Sequence, residues 1–245
     1  MANGQTLIFF VKSILRLFFR LLYHQFAFTY DLVAAAVSFN RWKDWVGSVI
    51  PFIERNRILE IGHGPGHLQR ILLTLRHRSG QARNLFAVGI DESAQMGRLA
   101  KRNLTRRSSS LRSSQQANFP LSQPDYTQIK LTRGVGQHLP FHDGSFDTVV
   151  ATFPTEYITD QGTLAEVKRC LSDGGRFIIL PVAWPKNRLL DWLFKVTSQS
   201  PTEAMEVVKS RLREPFVQAG FITEIQTVDV QSSTLLIVLA TKPSR

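Results

Sequence analysis

Three glycines at alternate positions, Gly62, Gly64 and Gly66, separate an apolar run, Ile58-Leu59-Glu60-Ile61, from a helix-compatible segment that opens at His67. Glycine allows the positive φ and close backbone approach that a tight turn around a ligand requires. A helix that follows at once offers free N–H groups and the positive end of its dipole. Such a strand-turn-helix loop suits a nucleotide-like ligand, although a purely structural βα turn uses the same glycines. Downstream, a second apolar run ends in Val88-Gly89-Ile90-Asp91. A carboxylate there can accept from both hydroxyls of a ribose, or it can cap a helix beginning near Ser93. The loop spacing is GxGxG, which is not the GxGxxG of the dinucleotide fingerprint.

The elements that must position these groups follow from apolar patterning. Residues 57–61, 85–90, 146–152 and 176–182 read as buried strands, and residues 67–76, 93–103 and 163–171 as helices. This alternation predicts a parallel sheet covered on both faces, with ligands at the carboxyl ends of its strands. The C-terminal part reads as a helix over 202–218, then strands over 221–230 and 233–241 that form a closing hairpin around Gln231 and Ser232. Residues 105–125 are rich in Ser, Gln and Arg with two prolines, and read as a long mobile insertion.

Four stretches in order, ILEIGHGPGH, VGIDESAQM, GQHLPFHDGSFDTVVATF and EVKRCLSDGGRFIILP, make the chain resemble a class I S-adenosylmethionine-dependent methyltransferase. It is most similar to the broad group that includes the ubiquinone/menaquinone and phospholipid methyltransferases. The resemblance covers about residues 58–182 and implies an α/β fold. That fold is a Rossmann-like, seven-stranded, mostly parallel sheet with helices on both faces and a C-terminal antiparallel hairpin. It implies S-adenosylmethionine as cofactor, with Glu60 and the backbone of Gly62, Gly64 and Gly66 around its methionine and ribose. His63 stands where the family more often carries a small or polar residue. Asp91 would hold the ribose hydroxyls, Glu92 and Met96 would lie by the adenosine, and Gly136 and Gln137 would pass along the adenine edge. Thr152 and Phe153 would face the sulfonium and the acceptor. Asp147 reads as structural, and Gly174 and Gly175 suit the turn into the fifth strand.

A sulfonium methyl is already activated, so the protein must chiefly align an acceptor and exclude water. A base is optional; His138, His142, Glu156 and Tyr157 are the candidates, each with an equally ordinary solvated or packing role. The stretch Phe153-Pro154-Thr155-Glu156-Tyr157 lacks the Asp/Asn-Pro-Pro-Tyr/Phe pattern of amino-directed nucleic-acid methyltransferases.

Composition bounds the partners. One cysteine, Cys170, excludes an intramolecular disulfide framework and an all-Cys zinc site, no metal site is expected, and a reducing cytoplasm fits. The net charge is +11. Much of the excess lies in Arg98, Lys101, Arg102, Arg106, Arg107, Arg112, Lys130 and Arg133, against the single acid Asp125. This segment lacks interleaved aromatics for base stacking, which disfavours an RNA methyltransferase.

Residues 7–28 are dominated by Leu, Ile and Phe, with Lys12, Arg16, Arg20 and His24 in one stripe. Such a helix is too charged to span a bilayer and lacks a signal-peptide cleavage site. It reads as an amphipathic helix lying on an anionic membrane surface, or as a cap over the site, within a cap region of residues 1–50 that precedes a methyltransferase domain of residues 51–245. Trp184, Trp192 and Phe194 could add to that lid. The sequence expectation is methyl transfer to a small hydrophobic or lipid-like acceptor in the cytoplasm or at a membrane; the alternative is a non-catalytic S-adenosylmethionine-binding protein.

Overall fold

The computed structural model describes residues 42–79, 85–115, 128–185, 201–231 and 233–244. The chain divides into two units, Met1–Trp42 and Lys43–Arg245, so the division falls inside the cap region expected over residues 1–50. The amphipathic stretch at 7–28 lies outside the described residues, as do Trp192 and Phe194. Among the described residues no helix is long and apolar enough to cross a membrane.

The second unit opens with the end of a short helix, α1 (Trp42–Gly47), which buries Trp45 and Val46. It is followed by β1 (Arg57–Ile61), α2 (His67–Ser79), β2 (Phe86–Asp91), α3 (Ala94–Gln115), β3 (Gln128–Arg133) and β4 (Phe146–Thr152). Then come α4 (Gln161–Cys170), β5 (Leu171–Pro185), α5 (Pro201–Gln218), β6 (Ile222–Val230) and β7 (Ser233–Thr241). The seven strands form one sheet in the order β3-β2-β1-β4-β5-β7-β6. The first five run parallel, and β7 is antiparallel to both β5 and β6.

Consecutive residues are buried in β1, β4, β5 and β7, among them Val149-Val150-Ala151 and Leu235 through Ala240. Unbroken burial along a strand means that both sheet faces are covered, the condition under which parallel sheets are found. Leu68 of α2, Ala100 of α3, Leu164 and Val167 of α4 and Phe216 of α5 supply that cover. Phe216 meets Phe177 of β5 edge-on at 6.0 Å, an arrangement that suits the ring quadrupoles.

Two elements differ from the sequence expectation. The helix opening after Ser93 runs to Gln115, well into the stretch read as loop. No glycine or proline interrupts residues 98–119, and Arg, Leu, Lys and Gln are good helix formers, which together outweigh the serines. Residues 116–127 of that stretch lie outside the described residues. The edge strand β3 was not anticipated, because its six residues carry only Ile129 and Leu131 as apolar anchors between polar and charged neighbours.

Because β1 has β2 on one side and β4 on the other, the strand order reverses between β1 and β4. In sheets of this kind the ligand crevice opens at that point, beyond the carboxyl ends of the strands. The residues there are those after Ile61 and those after Thr152.

Candidate functional site

The glycine loop leaves β1 with φ of +71° at Gly62, +50° at Gly64 and +81° at Gly66, a region that side chains strongly disfavour. A Cβ at Gly62 would strike the Tyr157 hydroxyl, whereas one at Gly64 would meet nothing within 4 Å. The middle of the loop therefore faces open space. Gly62 N donates to Ile90 O at 2.8 Å and Gly66 N to His63 O at 3.0 Å, and the Asn103 side chain holds Pro65 O at 3.0 Å. His63 is buried, with Nδ1 2.7 Å from Gly64 O. A carbonyl can only accept, so Nδ1 carries the proton and a neutral ring leaves Nε2 as an acceptor.

Asp91 bridges the glycine loop and the start of α3. One carboxylate oxygen accepts from Gly64 N and the other from Ser93 N, each at 2.8 Å. The cap of α3 is Ser93 itself, whose hydroxyl oxygen accepts from Met96 N at 3.2 Å. Asp91 thus ties the loop to the start of α3 while a carboxylate's remaining lone pairs stay available. Met96 is buried nearby in sequence; Glu92 is exposed, and its carbonyl accepts from Arg133 Nε at 2.9 Å.

Glu60 is only 2 % exposed. Gln69 of α2 donates to one of its oxygens, and Thr152 Oγ1 donates to the other at 3.3 Å. Burial pushes the Glu60 carboxyl well above the usual carboxylate range, and the Asp91 charge adds to this, against the pull of the Gln69 and Thr152 hydrogen bonds. A buried carboxyl that favours its neutral form will respond to any cation placed beside it.

Past Thr152, Phe153 has a φ of +50°, a left-handed conformation that costs a residue with a Cβ about 1–2 kcal/mol. Its N–H donates to Leu180 O at 2.7 Å, and its ring lies 6.0 Å from that of Trp45. Tyr157, on a short 3₁₀ turn (Glu156–Thr159), donates its hydroxyl to Ile61 O at 3.3 Å. Its ring also borders Gly136, which packs tightly on Thr163 of α4. Tyr157 therefore joins the glycine loop to the Gly136-Gln137 segment.

That segment continues into Leu139-Pro140-Phe141, which α4 grips. Arg169 donates to Phe141 O at 2.7 Å and Leu139 O at 3.0 Å, and Leu139 N donates to Glu166 at 2.8 Å. The paired Arg169 and backbone hydrogen bonding hold the Glu166 carboxyl below its usual range. At the far end of the sheet Asp147 accepts from Arg57 at 2.6 and 3.0 Å and from Ser172 at 3.1 Å, the structural role expected of it.

The fold thus brings together Glu60, Gly62, His63, Gly64, Gly66, Asp91, Thr152, Phe153, Tyr157 and Gly136. It does not bring His142, whose place is corrected here. That residue lies in the turn entering β4, its carbonyl accepting from Ser145, at the strand end opposite the glycine loop. His138 and Glu156 are exposed. Gln69, Trp45 and Thr163 belong to the neighbourhood without having been anticipated; the alternation of the glycines marked the loop but nothing in sequence marks what packs behind it. Among the described residues no group of His, Cys, Asp and Glu is placed to hold a metal.

Known proteins resemble this chain in sequence and in fold. A methyltransferase-domain family profile matches residues 59–179. The ubiquinone/menaquinone biosynthesis C-methyltransferase of Geotalea uraniireducens is 25% identical over 169 residues, covering 67% of this chain and 63% of the relative. The demethylmenaquinone methyltransferase of Symbiobacterium thermophilum is 26% identical over 181 residues, covering 72% and 64%. The chain therefore spans under two thirds of the length of either relative. An S-adenosylmethionine-dependent methyltransferase structure from Methanococcus maripaludis superposes with a TM-score of 0.55 at 16% identity, covering 89% of this chain and 93% of that one, a likeness of fold. The profile, which runs from the glycine loop into β5, and these relatives together support a class I S-adenosylmethionine-dependent methyltransferase.

Proposed function

We propose that this protein transfers the methyl of S-adenosylmethionine to a small hydrophobic or lipid-like acceptor, drawn from a membrane surface. The cofactor supplies a methyl on a sulfonium, already activated for attack. The residues present fit it: the backbone at Gly64 borders open space, Asp91 has unused acceptor capacity, and Gln69 Oε1 is a buried acceptor with no hydrogen-bond partner among the described residues. Asp91 would take the ribose hydroxyls, with Met96 and Gly136-Gln137 along the adenosine. Glu60 and the loop glycines would surround the methionine end, with His63 behind the loop.

The observation that carries the acceptor class is the Phe153–Trp45 pair beside Thr152, at the carboxyl end of β4. A non-glycine residue held in a left-handed conformation marks a position whose geometry the surroundings over-determine, a pattern concentrated at functional sites. Here it turns an aromatic ring toward a second one and furnishes an apolar wall that expels water from a reacting pair. Tyr157 is tied to Ile61 O and the glycine loop, so its role is to hold the loop rather than to take a proton. The likeness to a ubiquinone/menaquinone biosynthesis C-methyltransferase and a demethylmenaquinone methyltransferase favours the same acceptor class.

Labelled S-adenosylmethionine incubated with the protein and a membrane lipid extract should yield a labelled lipid-soluble product. Cofactor binding without any transfer would favour a binding protein instead. With a product in hand, Phe153→Ala should raise the KM for the acceptor at least tenfold while leaving the Kd for S-adenosylmethionine within about twofold. A selective loss of cofactor affinity would place Phe153 on the wrong ligand.

A further inference from the structure

The helix α3 carries six cations, Arg98, Lys101, Arg102, Arg106, Arg107 and Arg112, and no acid. Arg98, Lys101 and Arg102 are exposed, and none of them forms an ion pair with a carboxylate among the described residues. They lie three and four residues apart, so they share one helical face as like charges, which weakens the helix. They also sit in the half of α3 nearest its positive dipole end, where acids are the stabilising choice. The helix packs on β3, the edge strand, whose Lys130 and Arg133 are exposed as well. Lys130 Nζ stands 5.8 Å over the Phe86 ring, and Arg133 is held by Glu92 O. Two adjoining elements at one edge of the sheet thus present cations with no ion-paired carboxylate among the described residues, an arrangement that an external anionic surface would relieve.

From this charge distribution we infer that the α3–β3 edge is a docking surface for an anionic phospholipid bilayer. A convex helix flanked by an edge strand fits a flat array of headgroups, whose attraction acts through each cation independently. Single-stranded RNA is the weaker match, since binding it relies on exposed aromatic rings for stacking, and every described aromatic side chain is buried or half-buried. The face begins immediately after Asp91 and Met96, so docking would set the mouth of the proposed cofactor crevice against the membrane that holds a lipid-like acceptor. This purpose rests on the acceptor reading above; the docking itself does not.

The test is co-sedimentation of the full chain with vesicles of phosphatidylcholine alone or with about one third phosphatidylglycerol, in the absence of cofactor and acceptor. Binding should require phosphatidylglycerol and weaken with salt. The variant Arg98→Gln/Lys101→Gln/Arg102→Gln should bind about 100-fold less tightly. It should keep its affinity for S-adenosylmethionine and melt no lower than the parent, since like charges have been removed. A control, Arg211→Gln/Arg213→Gln on the exposed face of α5, should bind as the parent does. Equal partition onto both vesicle types, or unchanged binding by the triple variant, would overturn the proposal, as would RNA displacing the protein from vesicles at lower concentration than free phosphatidylglycerol micelles. Because the assay contains no acceptor, a failure to transfer methyl and a failure to dock are separate results.

Discussion

The Glu60 carboxyl stands between two hydrogen-bond donors, Gln69 and Thr152, in a position closed to water. Because burial raises its pKa, the folded free protein holds a proton that the unfolded chain releases in the ordinary carboxylate range near 4.5. That contribution to stability is present at low pH and is lost as the pH rises from that range through the raised folded value. Glu60→Gln should flatten this slope, measured by melting temperature from about pH 5 upward. On the proposed placement, the positive sulfonium beside Glu60 would favour ionisation, whereas the neutral sulfide left after transfer would not. The preference for S-adenosylmethionine over S-adenosylhomocysteine should therefore grow with pH in the parent and stay level in Glu60→Gln. A pH-independent ratio in the parent, by calorimetric titration, would remove Glu60 from the sulfonium's vicinity. Asp91→Ala should weaken S-adenosylmethionine binding at least tenfold, ~1.4 kcal/mol, through loss of the ribose acceptor and of the Gly64 tether. Unchanged affinity would mean that the ribose sits elsewhere.

At the scale of elements, the crevice is two loops held at fixed separation by side chains from behind. Tyr157 is the brace between them, bonded to Ile61 O and in contact with both Gly62 and Gly136. Gly62→Ala meets two obstacles, a φ of +71° and the Tyr157 hydroxyl. It should cost about 1–3 kcal/mol in chemical denaturation and weaken cofactor binding. Removing the hydroxyl separates the two obstacles: in Gly62→Ala/Tyr157→Phe the steric part should be recovered while the backbone part stays, giving a favourable coupling of about 0.5 kcal/mol or more in a double-mutant cycle. Strict additivity would show that Tyr157 does not press on the loop. The same division of labour explains α4, where Arg169 and Glu166 fix the backbone of Leu139 and Phe141 without approaching the glycine loop.

At the scale of the whole sheet, β7 runs between β5 and β6 with Leu235 through Ala240 buried, so this strand is part of the core. Cys170, at the junction of α4 and β5, is fully buried in the same core, and burial pushes its thiol up to about 11. It is the only cysteine, which makes it a clean reporter. A disulfide-exchange reagent at about pH 8 should label it only as fast as the molecule opens globally, and the labelling free energy should match that from denaturant unfolding. Rapid labelling in native buffer would mean that α4 and β5 separate locally, and with them the support behind Leu139 and Phe141.

The sequence alone carried the loop, because glycines at alternate positions between an apolar run and a helix have few physical uses, and it carried β1, β4 and β7 to the residue because buried strands read as unbroken apolar runs. It also marked Asp91, which the structure ties to both the glycine loop and Ser93. What the tertiary structure decided is everything that depends on contacts between distant segments. It carried α3 through a serine run read as loop, added an edge strand with too few apolar residues to be recognised, and set His142 at the wrong end of a parallel strand to serve the crevice. It also enclosed Glu60 with Gln69 and Thr152, three residues from three elements, and so gave an ordinary glutamate an environment in which its charge is unfavourable. Periodicity and turn chemistry are local and survive in one dimension; burial, proximity and the end of a sheet to which a residue belongs are properties of the folded chain.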